Sequence, residues 1–149
     1  MPPFEPAYEL DDDRDRVQPE HIWSLLEAGA YWGRWRNADD FRTQLANSWR
    51  VVGAYRPDGQ QIGFARAISD GVGLAYLADV FVDESARGHG VGTGLVRLMI
   101  EDGPGRGFRW MLHTADAHGL YARFGFAPGD ETYLERPRRP DEVPGSEPQ

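Results

Sequence analysis

The feature that most constrains this chain is an apolar run that ends in a glycine-rich turn and opens at once into a helical pattern. The run is Leu74–Val82, with Asp79 as its one acid, and it reads as a buried strand. After the connection Asp83-Glu84-Ser85 comes Arg87-Gly88-His89-Gly90-Val91-Gly92, and then Val91, Leu95, Leu98 and Met99 recur on one helical face. The first N–H groups of such a helix have no intrahelical partner, and the macrodipole adds partial positive charge there. A phosphate at that end is held by backbone donors. Glycines let the backbone approach closely and adopt positive φ, and Arg87 adds a charge-assisted contact.

Spacing separates the kinds of phosphate site. A dinucleotide fingerprint requires G-x-G-x-x-G, but Thr93 and Leu95 stand where the third glycine would be. No Gly-Lys-Ser/Thr is present, which excludes a mononucleotide P-loop. The spacing that fits is R-x-x-G-x-G.

Around this unit the pattern is that of a mixed α/β domain. Residues 7–10 read as a first strand, Pro19 opens a helix through Ile22, Leu25 and Leu26, and Asp39 or Asp40 opens a second. Arg50–Tyr55 and residues 61–68 are strands joined by the turn Pro57-Asp58-Gly59. Residues 108–113 read as a strand and 114–123 as a short helix; a further strand starts at 124–126, and 132–135 read as the last one. The expected architecture is a mainly antiparallel central sheet flanked by helices, in one domain spanning 1–136. Residues 137–149, rich in Pro, Arg, Glu and Gly, read as a disordered tail.

Composition removes several functional classes. The 149 residues carry a net charge of −8, which argues against a nucleic-acid partner, because neutralising phosphates needs a basic surface. There is no cysteine, so disulfides, thiolate metal sites and a cysteine nucleophile are excluded. His113 and His118 lack acidic partners at metal spacing, and no metal is expected. With no apolar run of about 18 residues and no leader-like start, a membrane partner is not expected and the cytoplasm is the expected compartment.

The segment 87–92 resembles the GNAT superfamily of N-acetyltransferases, whose pyrophosphate-binding motif is Q/R-x-x-G-x-G/A. Leu120-Tyr121-Ala122-Arg123-Phe124-Gly125-Phe126 is similar to the family's L-Y-x-x-x-G-F segment. Tyr76-Leu77-Ala78-Asp79-Val80-Phe81-Val82 and Asp116-Ala117-His118-Gly119-Leu120-Tyr121 point to a bacterial subgroup of it. The resemblance spans residues 7–134 and implies a GNAT-like fold. It implies acetyl-CoA, or another short acyl-CoA, as cofactor, and a primary amine of a small molecule or peptide as acceptor. Transfer would be direct within a ternary complex, by a monomer or homodimer. The competing reading is a non-catalytic acyl-CoA-binding or regulatory module.

By the same resemblance, Val80, Phe81, Val82, Arg87, Gly88, His89, Gly90, Val91, Gly92, Thr93 and Thr114 bind the cofactor. A bulge in the stretch Val80, Phe81 and Val82 would splay the strand so that pantetheine pairs with its backbone. Thr114 stands where many members have Asn, and its other reading is a helix N-cap. Tyr121 is the implied acid for the leaving thiolate, since phenol and thiol lie within about two pKa units of each other. Asp79 is either a base for the acceptor amine, a group that binds its ammonium, or a structural carboxylate bonded to the backbone. Strand alternation puts Leu77, Asp79 and Phe81 on one face. Trp32, Arg34 and Asp116 are candidate acceptor contacts, and Arg34 or Arg36 can hold a carboxylate.

Overall fold

The computed structural model describes residues 7–29 and 36–139. Five strands form one sheet in sequence order: β1 (Glu9–Asp11), β2 (Arg50–Tyr55), β3 (Gln61–Ser69), β4 (Leu74–Val82) and β5 (Arg109–Leu112). Neighbours run antiparallel except β4 and β5, which are parallel. A parallel pair needs a crossover, and α3 (Val91–Ile100) supplies it. The first strand lies slightly later than the pattern 7–10 suggests, and β3 runs one residue further than 61–68.

The sheet separates two apolar layers. On one face Val91, Leu95, Val96 and Met99 of α3 pack against Val52, Ile62 and Leu77, all buried. Leu98, expected on the same face, is only partly buried there. On the other face α1 (Pro19–Gly29) and α2 (Ala38–Asn47) bury Ile22, Leu26, Phe41 and Leu45 against Val51, Phe64 and Phe81. Phe41 meets Phe64 edge to face with centroids 5.6 Å apart, a favoured aromatic geometry.

Asn37, not an aspartate, caps α2: its side chain accepts from the Asp40 amide, and the Asp40 carboxylate accepts from the Asn37 amide. This capping box satisfies two orphan donors and fixes where the helix starts.

The largest departures from the sequence pattern follow β5. The helix read over 114–123 is confined to α4 (His118–Ala122). The segments 124–126 and 132–135, expected as strands, are turn and irregular chain. The Gly125 amide donates to the Ala122 carbonyl and the Phe126 amide to the Tyr121 carbonyl, with φ of +85° at Gly125. That bond pair is a Schellman stop, which consumes the backbone groups a strand would have used. Residues 137–139 are exposed and carry no regular structure; the rest of the expected tail, 140–149, lies outside the described residues.

Candidate active site

β4 and β5 pair only through Leu74↔Arg109, Ala75↔Trp110, Tyr76↔Met111 and Leu77↔Leu112. Beyond Leu77 and Leu112 the strands separate, so β4 from Ala78 to Val82 runs on without a strand on that side. The gap opens into a cleft of about 1050 Å³.

The departure begins at a bulge. Arg66 pairs with Asp79 and Ala67 with Leu77, leaving Ala78 without an opposite number. The irregularity thus precedes the stretch Val80, Phe81 and Val82, where it was expected. An extra residue also reverses the alternation of side chains. Leu77 joins the α3 layer whereas Phe81 joins the α1 and α2 layer, so Leu77 does not share the face of Asp79 and Phe81 as simple alternation implies.

Asp79, 4% exposed, faces the α1 and α2 side. Its carboxylate accepts from both terminal nitrogens of Arg36, at 2.9 and 3.1 Å, and from Arg66 Nε at 2.5 Å. The partners are therefore guanidinium groups rather than the backbone. Arg36 holds an internal carboxylate, and its Nη1 also donates to Gln44 on α2. The sequence pattern does not single out Arg66, although a lone arginine among Phe64, Ala65, Ala67 and Ile68 is the counterpart of the lone acid in β4.

Asp79, Val80, Phe81 and Val82 line the cleft from β4, and Thr114, Asp116 and Tyr121 line it from the opposite wall. Arg87 closes the end of the β4 wall, its Nε donating to the Val82 carbonyl at 3.1 Å. Gly88, His89, Gly90, Val91, Gly92 and Thr93 continue past this wall into the first turn of α3. Gly88 and Gly90 have φ of +82° and +81°, a region that favours glycine. Gly90 occupies the N-cap with no side-chain cap, so the α3 amides point outward from a bare turn. A Cβ on Gly92 would stand 3.6 Å from a Val82 methyl, so helix and strand are in close contact at this point. Backbone donors, an arginine and an unpaired strand edge together suit a long ligand with an anionic diphosphate and an amide-bearing arm.

Tyr121 is buried on α4, and burial followed by the nearby Asp116 carboxylate pushes its phenol above the ordinary value. It therefore stays protonated and able to donate. The Schellman stop places Phe126 edge-on against the Tyr121 ring with centroids 5.8 Å apart, which explains why glycine and phenylalanine follow the tyrosine at that spacing. The Thr114 hydroxyl accepts from the Ala117 amide at 3.0 Å, capping the turn before α4, whose own N-cap is Ala117. Asp116 is exposed at the rim. Trp32 and Arg34 lie outside the described residues. Among the described residues no group of three or more potential ligands could hold a metal, and no helix is long and apolar enough to cross a membrane.

The family model described as acetyltransferase (GNAT) family matches residues 22–126. The chain is 32% identical over 97 residues to chloroplastic serotonin N-acetyltransferase 2 of Oryza sativa subsp. japonica, covering 62% of this chain and 48% of that protein. It is 38% identical over 55 residues to glucosamine 6-phosphate N-acetyltransferase 1 of the same plant, covering 36% of this chain and 33% of that protein. The chain thus spans half or less of the length of these curated relatives. A solved structure from Xanthomonas campestris pv. campestris, assigned to the GNAT family, superposes with a TM-score of 0.78 at 32% identity, covering 88% of this chain and 93% of that one.

Proposed function

The chain belongs to the GNAT family of acetyltransferases, and from that premise we propose that it transfers an acetyl group from acetyl-CoA to a primary amine, directly, within a ternary complex. The observation that carries the proposal is the separation of β4 from β5 beyond Leu77 and Leu112, with the glycine turn at one end of the cleft and Tyr121 in its wall.

In this reading the α3 N-terminus and Arg87 hold the diphosphate, and the unpaired backbone of Val80, Phe81 and Val82 lines up the arm. An N–H from the same stretch polarises the thioester carbonyl. Acetyl-CoA supplies the activated acyl group; the protein supplies position and protons. Tyr121, kept protonated by burial, gives its proton to the departing sulfur.

Asp79 is assigned as an anchor rather than a base, because both its oxygens already accept from guanidinium groups. A small amine is favoured as acceptor because the names of both curated relatives identify small-molecule amine substrates. The test is a panel of primary amines incubated with the protein and acetyl-CoA, read by release of free thiol. Amine-dependent release is expected; tight acetyl-CoA binding with no release for any amine would make the chain a binding module instead.

A further inference from the structure

With Asp79 occupied, the acceptor ammonium still needs a group to take its proton, because only the neutral amine has a lone pair for attack. A chain of three side chains at the cleft provides one. Tyr76 Oη lies 2.6 Å from His113 Nδ1, and His113 Nε2 lies 2.7 Å from Glu135 Oε2. Tyr76 and His113 both line the cleft that holds Asp79 and Tyr121. They stand on the α1 and α2 side of the sheet, since Leu77 and Leu112, the residues next to them in the chain, pack on the α3 side.

The proton positions follow from donor and acceptor rules. A carboxylate only accepts, so Nε2 carries the hydrogen facing Glu135; the neutral ring then offers Nδ1 as acceptor, and Tyr76 donates to it. Tyr133 reaches toward the same junction, 3.4 Å from His113 Nε2 and 3.5 Å from Glu135. Among the described residues, the groups in hydrogen-bond reach of the ring are Tyr76 from β4 and Tyr133 and Glu135 from the C-terminal segment. Burial, then Tyr133, Glu135 and Asp79, raise the Tyr76 phenol above its ordinary value, so it passes protons without resting as phenolate. The His113 side chain is 52% exposed and also borders a second hollow of about 760 Å³, so an accepted proton has a path to water.

We propose that Tyr76 and His113, oriented by Glu135, form the relay that deprotonates the acceptor amine; this rests on the acetyltransferase reading. An ammonium N–H bond breaks and its proton goes to Tyr76 Oη as the Tyr76 proton goes to His113 Nδ1, leaving an imidazolium against Glu135. The neutral nitrogen then forms its bond to the thioester carbon. On collapse the C–S bond breaks, the sulfur takes the Tyr121 proton, and the surplus proton on nitrogen restores Tyr121. His113 releases its proton to solvent. Tyr76 and His113 are catalytic residues in this scheme, and Glu135 is a positioning residue.

The test uses the full chain and the fastest amine from the thiol-release panel. His113→Ala should lower turnover by about 100-fold with acetyl-CoA affinity unchanged, and added imidazole should restore part of the loss. A wild-type rate in folded His113→Ala, or loss with no rescue by imidazole, overturns the relay. Nitrogen-15 spectra of histidine-labelled protein give a readout that needs no acceptor. Wild type should show His113 protonated at Nε2, and Glu135→Gln should weaken that preference; a ring protonated at Nδ1 overturns the relay. If the protein binds acetyl-CoA but acetylates no amine, the acetyltransferase reading fails separately, and the ring tautomer still decides the proton arrangement.

Discussion

Arg36 and Asp79 meet in a two-point contact, each terminal guanidinium nitrogen donating to its own carboxylate oxygen at 2.9 and 3.1 Å, with both side chains no more than 3% exposed. The contact ties the chain entering α2 to the bulged part of β4, and Arg66 joins it from β3. Breaking a buried pair from one side strands the remaining charge. Asp79→Ala should therefore cost about 3–5 kcal/mol in chemical denaturation. A loss below about 1 kcal/mol would mean the carboxylate is not an anchor.

In the proposed transfer Tyr121 gives up a proton, which requires a protonated phenol, and its raised pKa keeps it so at neutral pH. Tyr121→Phe should lower turnover by about 100-fold while leaving acetyl-CoA affinity within about threefold. Steady-state kinetics alongside calorimetric titration separates the two quantities. Unchanged turnover would remove Tyr121 from the mechanism.

How much of this was legible in sequence depended on whether the signal was local. The glycine turn, the strand before it and the Leu120 to Phe126 motif are local, and the cleft forms between them. Asp79 stood out as a lone acid in an apolar strand, but its partners lie 43 and 13 residues away, and strand periodicity carries no information about which charges meet. The bulge at Ala78 was hidden because an extra residue leaves the apolar pattern intact while exchanging the faces. The strand expected from 124–126 is absent for a local reason: Gly125, at positive φ, terminates α4.

Tyr55 is 1% exposed, its hydroxyl has no hydrogen-bond partner among the described residues, and burial pushes its phenol up to about 12 from an ordinary 10.0. The folded value lies above the unfolded one, so its contribution is intact below pH 10 and is lost as pH rises toward about 12. Stability should fall by about 2–3 kcal/mol across that window from this group alone. Tyr55→Phe should flatten the fall without lowering stability at neutral pH, since it removes an unsatisfied buried hydroxyl. Equal alkaline loss in both proteins would contradict the assignment.

Gly90 holds φ of +81° at the N-cap of α3. Gly90→Val places a β-branched residue there and should cost about 1–3 kcal/mol of stability. If the turn is the diphosphate site, acetyl-CoA affinity should fall at least about tenfold, since the amides shift with the backbone. An affinity unchanged in the folded variant would separate the turn from the ligand.

An acetyltransferase of this geometry must accept acetyl-CoA in the opening between β4 and β5, with the diphosphate at the α3 N-terminus. Isothermal titration of the full chain with acetyl-CoA measures this without knowledge of the acceptor. A Kd on the order of micromolar, weakened at least about tenfold by Arg87→Ala, is the expected result. No binding at millimolar acetyl-CoA, or binding indifferent to Arg87, would contradict it.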